Sequence, residues 1–502
     1  MDVNQERHTA YAGYDGLVNL AEEISNSIRF YERHCEAQSA EAISKEDGLL
    51  CRISPDQKDE IASPSARNDK QGKDVSINPL KHSQSIGAAM AFQGIHNAIP
   101  VIHGAQGCTF LGKVLLTKHF REPIALASTK IFTEDVVMGS HENVIEVVKG
   151  FIEKNSPDII GILTSGLSEV KGDDISGVIK QFTINNSRLT VLHVPTPDFE
   201  GGLETGYAKA VEAVLEIAGC GDNAPSYPPL KLRGGRGCYE PRIPQLINIL
   251  AGPHLSPADF TELRDIIESF GLRPIILPDL SALDGSRQGV SALATGGTTI
   301  DEIRAMSSAQ FTLAIGMSME APAQKLKDRF GIEYKIIESI SGLKDSDMLM
   351  ETLSMLSSNP VPSRYVRQRK ILLDGMRDAH FFFGSKKICL ALEPDLAIQT
   401  SRLLEEMGAL TALAVVPQFS SALSSIRAEE IIVGDLSTLP ADCDLIISNS
   451  HAADTAEHLN IPLYQLGFPV YKVLGKTAQV SIGYRGSLCL VNEIANAFGC
   501  RH

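Results

Sequence analysis

The chain has 502 residues, 43% hydrophobic and 21% charged, which is typical of globular proteins and long enough for about three domains. Its net charge is −15 without any long basic run, so we expect no nucleic-acid partner, because phosphate binding requires clustered Lys and Arg. No stretch approaches about 18 uncharged apolar residues, and the polar start MDVNQERHTA resembles no export signal. We therefore expect a cytoplasmic protein with no membrane partner.

The first part of the chain differs in kind from the rest. From Glu32 to Lys73 the sequence is rich in charge, Ser, Ala and Asp and has little periodicity. Such a composition cannot bury enough apolar surface to form a core. Residues 1–75 are therefore predicted to be a largely disordered N-terminal extension.

From Asn78 onward, strand-like and helix-like segments alternate, which predicts parallel sheets with helices on both faces. We divide this part into domain I (76–235), domain II (236–380) and domain III (381–502), with a C-terminal helix that packs back. The fold class is thus α/β, with three doubly wound, Rossmann-like domains. Strands are predicted at 98–102, 159–163, 190–192, 246–250, 274–277, 311–315, 388–392, 410–416, 430–433 and 445–447. Neither a GxGxxG fingerprint nor a P-loop spacing is present.

The nine cysteines contain no C-x-x-C pair, so no zinc knuckle and no self-contained iron–sulfur motif is indicated. Cys108 stands apart, because it ends the glycine-containing stretch HGAQGC after the apolar strand at 98–102. Loops at the carboxyl ends of strands are where open α/β sheets bind ligands. Thr109 is predicted to cap a helix over 110–116, and a helix N-terminus beside a thiol favours the thiolate that binds metal. A buried, inert thiol is the alternative.

A set of motifs resembles nitrogenase component 1 and its relatives from about residue 77 to the C-terminus. Each motif is weak alone, but the set is specific. Its members are Asn78-Pro79-Leu80-Lys81, Gly87-Ala88-Ala89, HGAQGC at 103–108, KHFREP at 118–123, TSGLSE at 164–169, Gly172-Asp173-Asp174, TPDF at 196–199, FGLRP at 270–274, Asn449-Ser450-His451 and GYRG at 483–486.

Within this family, the catalytic β subunit supplies three cysteines to the P-cluster, and the corresponding positions here are Ser83, Cys108 and Gly166. Thiolates are the ligands that such clusters require. The resemblance is therefore to the β-like subunit of the scaffold on which the iron–molybdenum cofactor is matured. It implies that Cys108 is the one ligand from this chain to a [4Fe–4S] cluster at a subunit interface.

The same resemblance implies the partners. The other cluster ligands come from an E-like α subunit in an α2β2 heterotetramer, and the iron–molybdenum cofactor precursor is held mainly by that partner. His103, Gly104, Gln106 and Gly107 are expected either to surround the cluster or to shape the loop.

Two surface segments are also assigned by the resemblance. Met138 lies where the reductase of the family, the Fe protein, docks transiently, and residues 118–123 are expected to form subunit contacts.

Catalysis by this chain alone is not expected.

Three alternatives stay open at this point. A divergent catalytic nitrogenase β subunit would show an eight-iron P-cluster despite Ser83 and Gly166. A stand-alone enzyme with Cys108 as nucleophile would need a histidine within about 3 Å of the sulfur. A non-catalytic α/β binding module would have a closed, dry loop around Cys108.

Overall fold

The computed structural model describes residues 80–172, 175, 177–179, 182, 189–219, 242–287 and 291–499. The chain divides into two units, Met1–Arg52 and Ile53–His502, and every described residue belongs to the second. The predicted disorder of residues 1–75 lies outside the described residues, as do Asn78, Pro79, Asp173 and Asp174. Within the described ranges, no helix is both long enough and apolar enough to cross a membrane.

The first sheet has four parallel strands in the order β2-β1-β3-β4. The central strands β1 and β3 are buried along their whole length, which explains their continuous apolar sequences. The strands are β1 (Ala98–His103), β2 (Ala127–Ser128), β3 (Ile159–Thr164) and β4 (Thr190–Val194). The helices are α1 (Gln84–Gln93), α2 (Gln106–Phe120), α3 (Thr133–Met138), α4 (His141–Asn155), α5 (Gly166–Lys171) and α6 (Leu203–Val214).

The second sheet is also fully parallel, in the order β6-β5-β7-β8. Its strands are β5 (Ile243–Ala251), β6 (Arg273–Leu277), β7 (Ala309–Ile315) and β8 (Tyr334–Ile337). Its helices are α7 (Pro257–Glu268), α8 (Ile300–Ala305), α9 (Glu320–Phe330) and α10 (Leu343–Ser357). Helix α7 begins with a reciprocal capping box, in which Ser256 and Asp259 enclose Pro257 at the first helical position.

The third sheet has five parallel strands in the order β11-β10-β9-β12-β13. Its strands are β9 (Lys387–Ala391), β10 (Leu410–Val416), β11 (Glu430–Val433), β12 (Leu445–Ser448) and β13 (Leu463–Gln465). The helices of this part are α11 (Ser363–Phe383), α12 (Pro394–Glu406), α13 (Ala453–Leu459) and α14 (Gly483–Gly499). The final helix α14 packs against α11, where the rings of Phe498 and Phe383 meet edge to face at 5.6 Å.

Three parallel sheets with flanking helices confirm the predicted α/β class. The strands that sequence patterning missed, β2, β8 and β13, are each two to four residues long and lie at sheet edges. Short edge strands carry too few residues to show a period. The division into domains I to III stays a prediction.

Candidate functional site

The loops that follow β1 and β3 lie side by side at the carboxyl edge of the first sheet. His103 and Thr164, the last residues of these strands, are register partners. Ser165 Oγ donates a hydrogen bond of 2.9 Å to the carbonyl oxygen of His103 and also caps α5. A Cβ on Gly104 would lie only 2.6 Å from Ser165 Oγ, so the two loops can approach this closely because residue 104 is glycine.

Cys108 is exposed in the first turn of α2, beside the exposed residues Gln106 and Gly107. The prediction that Thr109 caps this helix is wrong. The helix begins at Gln106 with Ala105 as its N-cap, and Thr109 is buried inside it. Cys108 therefore lies within the turn whose N–H groups lack intrahelical partners, where the positive end of the helix dipole favours an anion.

Ser83 and Gly166 belong to the same edge as Cys108. The Gly166 N–H donates to Asp198 Oδ2 at 3.0 Å, which joins α5 to the loop after β4. Gln84, next to Ser83, donates through Nε2 to the carbonyl oxygen of Pro197 in that same loop. The structure thus brings together the three segments that carry positions 83, 108 and 166.

His103 is completely buried. Its Nδ1 lies 3.0 Å from Thr129 Oγ1, and its Nε2 lies 3.2 Å from Ser140 Oγ. These bonds tie β1 to the segment after β2 and to the residue that precedes α4. His103 therefore has a defined role in shaping the loop, and its contact with a cluster stays a prediction. No hydrogen bond joins Cys108 to a histidine in the described part of the chain, so the geometry of a nucleophile with a histidine base is not formed.

A set of large apolar side chains is exposed on the helices and loops at this edge. Met138 is 85% exposed, as its predicted role as a contact residue requires, and Phe110 in α2 is 65% exposed. Lys171 Nζ donates to the carbonyl oxygen of Asp135, which joins α5 to α3. We call this set the edge surface: Phe110, Leu111, Phe132, Val137, Met138, Leu167, Val170 and Phe199. Exposed apolar residues in such number mark interaction sites.

Residues 118–123 make contacts within the chain, and their role in subunit contacts stays a prediction. Phe120 is buried, and His119 Nδ1 accepts a 3.0 Å hydrogen bond from the N–H of Val470. Arg121 donates to the carbonyl oxygen of Tyr471 at 3.0 Å. Burial lowers the pKa of His119 to about 4, so the ring is neutral. The segment joins the first and third sheets.

Where the three sheets meet, their carboxyl edges enclose a cavity of about 60 Å³. Glu204 follows β4, His254 follows β5 and Glu393 follows β9, and all three side chains line the cavity. The main-chain N–H of Asp395 donates to Glu204 Oε1 at 2.9 Å, and Asp395 Oδ2 lies 3.9 Å from His254 Nδ1. No sequence motif marks this cluster, although each of its residues follows a predicted strand.

Burial controls the charge of this cluster. It raises the pKa of Glu393 to about 8, and the neighbouring Asp395 adds to the shift. Burial likewise raises the pKa of Glu204 well above its ordinary value and lowers the pKa of His254. Burial thus favours the neutral forms of these three side chains.

Comparisons with known proteins agree with this fold. The family described as "Nitrogenase component 1 type Oxidoreductase" matches residues 83–499. A solved chain named "Nitrogenase Cp1 at pH 6.5" is 28% identical, with a TM-score of 0.76 over 85% of this chain and 94% of its own. A second, "Nitrogenase Cp1 at pH 5", is 14% identical with a TM-score of 0.60 and shows the fold alone. The chain belongs to the nitrogenase component 1 family.

Within that family, the chain is similar to proteins named nitrogenase iron-molybdenum cofactor biosynthesis protein NifN. The relative from Rippkaea orientalis is 39% identical over 442 residues, which are 84% of this chain and 94% of the relative. The relative from Nostoc is 39% identical over 85% of this chain and 94% of its own length. The relative from Bradyrhizobium diazoefficiens is also 39% identical, over 84% of this chain and 89% of its own length.

Proposed function

We propose that this chain is a scaffold subunit for maturation of the nitrogenase iron–molybdenum cofactor. The similarity to NifN proteins over most of both lengths supports this role. The observation that carries the proposal is Cys108, a thiol exposed in the first turn of a helix at the sheet edge, with Ser83 and Gly166 at the two neighbouring positions. This arrangement offers one soft ligand where a catalytic β subunit would offer three.

Cys108 is proposed to bind one iron of a [4Fe–4S] cluster shared with an E-like, NifE-type subunit. The residues fit such a group: the thiol is exposed in the first turn of a helix, and a side chain at Gly107 would meet nothing within 4 Å. No group of three or more potential metal ligands lies together among the described residues. When bound, the cluster supplies electron transfer. This chain contributes one ligand and half of the protein environment of the cluster.

Apart from Met138, the edge surface is proposed to form this chain's side of the interface with the E-like subunit in an α2β2 assembly. Its aromatic and aliphatic residues are typical of the buried core of an interface. Met138, on the short helix α3, is proposed to contact the Fe protein when it docks. The cofactor precursor is proposed to lie mainly in the partner, so this chain positions and completes the site.

The decisive experiment is iron analysis of the complex that carries Cys108→Ala, purified with the E-like subunit under anaerobic conditions. Loss of one of four ligands should remove or destabilise the interfacial cluster, lowering iron content and weakening its electron paramagnetic resonance signal. Cys489→Ala is the matched control, because Cys489 is also an exposed thiol but lies on α14. We expect full cluster content in the control.

Two results would reject the assignment. Unchanged iron content and an unchanged spectrum in Cys108→Ala would show that the thiol is not a ligand. An eight-iron P-cluster spectrum in the wild-type complex would instead identify a divergent catalytic β subunit.

A further inference from the structure

The cavity between the three sheets is lined by buried polar atoms that have no hydrogen-bond partner in the described part of the chain. They include both carboxylate oxygens of Glu393 and both ring nitrogens of His254. Glu393 is 8% exposed and precedes α12 without capping it, and the side chain of His254 is completely buried. Burying such atoms is costly unless a partner satisfies them. The two side chains therefore indicate a ligand site.

Close packing holds the His254 ring in the cavity wall. A Cβ on Gly252 would lie 2.8 Å from His254 Nδ1, and a Cβ on Gly316 would lie 2.9 Å from Cε1. Asp395 Oδ2 lies 3.9 Å from Nδ1, too far for a hydrogen bond, and Asp395 Oδ1 accepts from the N–H of Met317 at 2.8 Å. The imidazole is thus positioned by its neighbours, while neither of its nitrogens is used by them.

The remaining charged or titratable side chains of the cavity wall already have partners. They are His119, Glu204, Asp259 and Lys476. The cation of this set, Lys476, pairs with Glu493 Oε2 at 2.7 Å, so its charge is already balanced. Lys81 acts on Glu393 through its charge, but it is exposed and makes no hydrogen bond to that carboxyl. Glu393 is therefore the group that requires a counter-charge.

We propose that this cavity is a binding site for the ammonium ion, with Glu393 as the counter-charge and His254 as a second hydrogen-bond acceptor. Ammonium donates hydrogen bonds in four directions, and bonds between such a cation and a carboxylate are short and strong. A neutral imidazole offers one acceptor nitrogen, and burial favours the neutral form of His254 by lowering its pKa. The site includes no residue of the edge surface.

The size and the composition of the cavity favour this ion over larger ligands and metals. A volume of about 60 Å³ has room for roughly four to six water-sized groups, so an ammonium ion fits together with a few waters. Gln479 Nε2, which also lacks a partner within the described ranges, can donate to one of those waters. No group of three or more potential metal ligands lies together among the described residues.

Binding is coupled to the release of a proton. Without the ion, Glu393 holds a proton at neutral pH, because burial raises its pKa to about 8. When ammonium binds, the carboxyl O–H bond breaks, the proton passes to the solvent, and the carboxylate pairs with the cation. Binding should therefore release up to one proton per ion and should be tighter at pH 8 than at pH 6.

The test is isothermal titration calorimetry of the full chain in its purified complex with ammonium chloride. Chloride is held constant, and buffers of different ionisation enthalpy report the proton release. We expect saturable binding accompanied by proton release. Potassium chloride supplies a cation of similar size without N–H donors, and it should bind more weakly by roughly tenfold or more, as expected for lost hydrogen bonds to a charged group.

Glu393→Gln keeps the shape of the side chain and removes its charge. Ammonium affinity should fall by roughly tenfold or more, and the proton release should disappear. Glu142→Gln, at an exposed position on α4, is the matched control and should bind as the wild type does.

Three results would overturn the proposal. The first is the absence of saturable binding of ammonium to the wild-type complex. The second is unchanged affinity in Glu393→Gln. The third is equal affinity for potassium and ammonium, which would show that hydrogen bonding does not select the ion.

Discussion

At the scale of single residues, Glu393 shows how burial sets the chemistry of the cavity between the sheets. Neither of its carboxylate oxygens has a hydrogen-bond partner within the described ranges, and the side chain is buried. An ionised carboxylate in that position would be costly, so the folded chain keeps the proton to a pKa of about 8 instead of the ordinary 4.5. This shift makes the free energy of unfolding depend on pH.

The sign of that dependence follows from proton binding. Between about pH 4.5 and pH 8 the folded chain holds the proton on Glu393 while the unfolded chain has lost it. This residue therefore lowers the free energy of unfolding progressively as pH rises through that window.

Glu393→Gln should remove this residue's contribution to the fall in the free energy of unfolding. The urea midpoint of the variant should exceed that of the wild type by more at pH 8 than at pH 5. Urea titrations at both pH values check this. The exposed-site control Glu142→Gln should show the same midpoint difference at both, and an equal shift in the two variants would contradict the interpretation.

At the scale of elements, the crossing of α1 and α6 depends on two glycines. A Cβ on Gly87 would overlap the carbonyl oxygen of Leu203, and a Cβ on Gly206 would overlap the carbonyl oxygen of Gln84. The obstacle in both cases is backbone, which cannot rotate away as a side chain does. This close approach positions Gln84, whose amide bonds to the loop after β4, and thereby Ser83.

Gly206→Ala should therefore destabilise the chain by about 3 kcal/mol, at the upper end of overpacking costs. Gly150, within α4, provides the matched substitution, because a Cβ there meets nothing within 4 Å. Gly150→Ala should stabilise the chain by about 0.5 to 1 kcal/mol through helix propensity alone. Urea unfolding of both variants measures the difference. Equal effects of the same sign would show that the helices can separate without cost.

At the scale of the whole molecule, the carboxyl edge of the first sheet differs from the rest of the surface. Its helices present the edge surface around the exposed thiol of Cys108, whereas the cavity between the sheets holds buried carboxyl groups. The outward-facing site suits a second subunit, and the enclosed cavity has room only for small groups.

The interface is tested by Phe110→Asp, which places a charge two residues from Cys108. Because Phe110 is exposed, the chain should fold normally, while its affinity for the E-like subunit should fall at least tenfold, or about 1.4 kcal/mol. Met355→Asp, on α10, alters an equally exposed apolar residue away from the edge surface. Co-purification and sedimentation of both variants give the comparison. If Phe110→Asp assembles as tightly as Met355→Asp, the edge surface is not the interface.

Local sequence predicted the elements and marked the candidate thiol. Continuous apolar runs in β1, β3 and β9 predicted buried parallel strands, because a strand covered on both faces needs no polar alternation. The motif at 103–108 identified Cys108, since the residue types and their spacing are visible in the chain itself. These features depend on neighbours in sequence, so no three-dimensional information was needed.

Only the tertiary structure decided which distant residues meet. The bond between His119 and Val470 and the cavity at Glu204, His254 and Glu393 depend on contacts between segments far apart in the chain. Sheet order and helix crossing determine those contacts, and the periodicity of apolar residues along the sequence does not specify them. The exposed thiol was therefore found from sequence, while its surroundings required the fold.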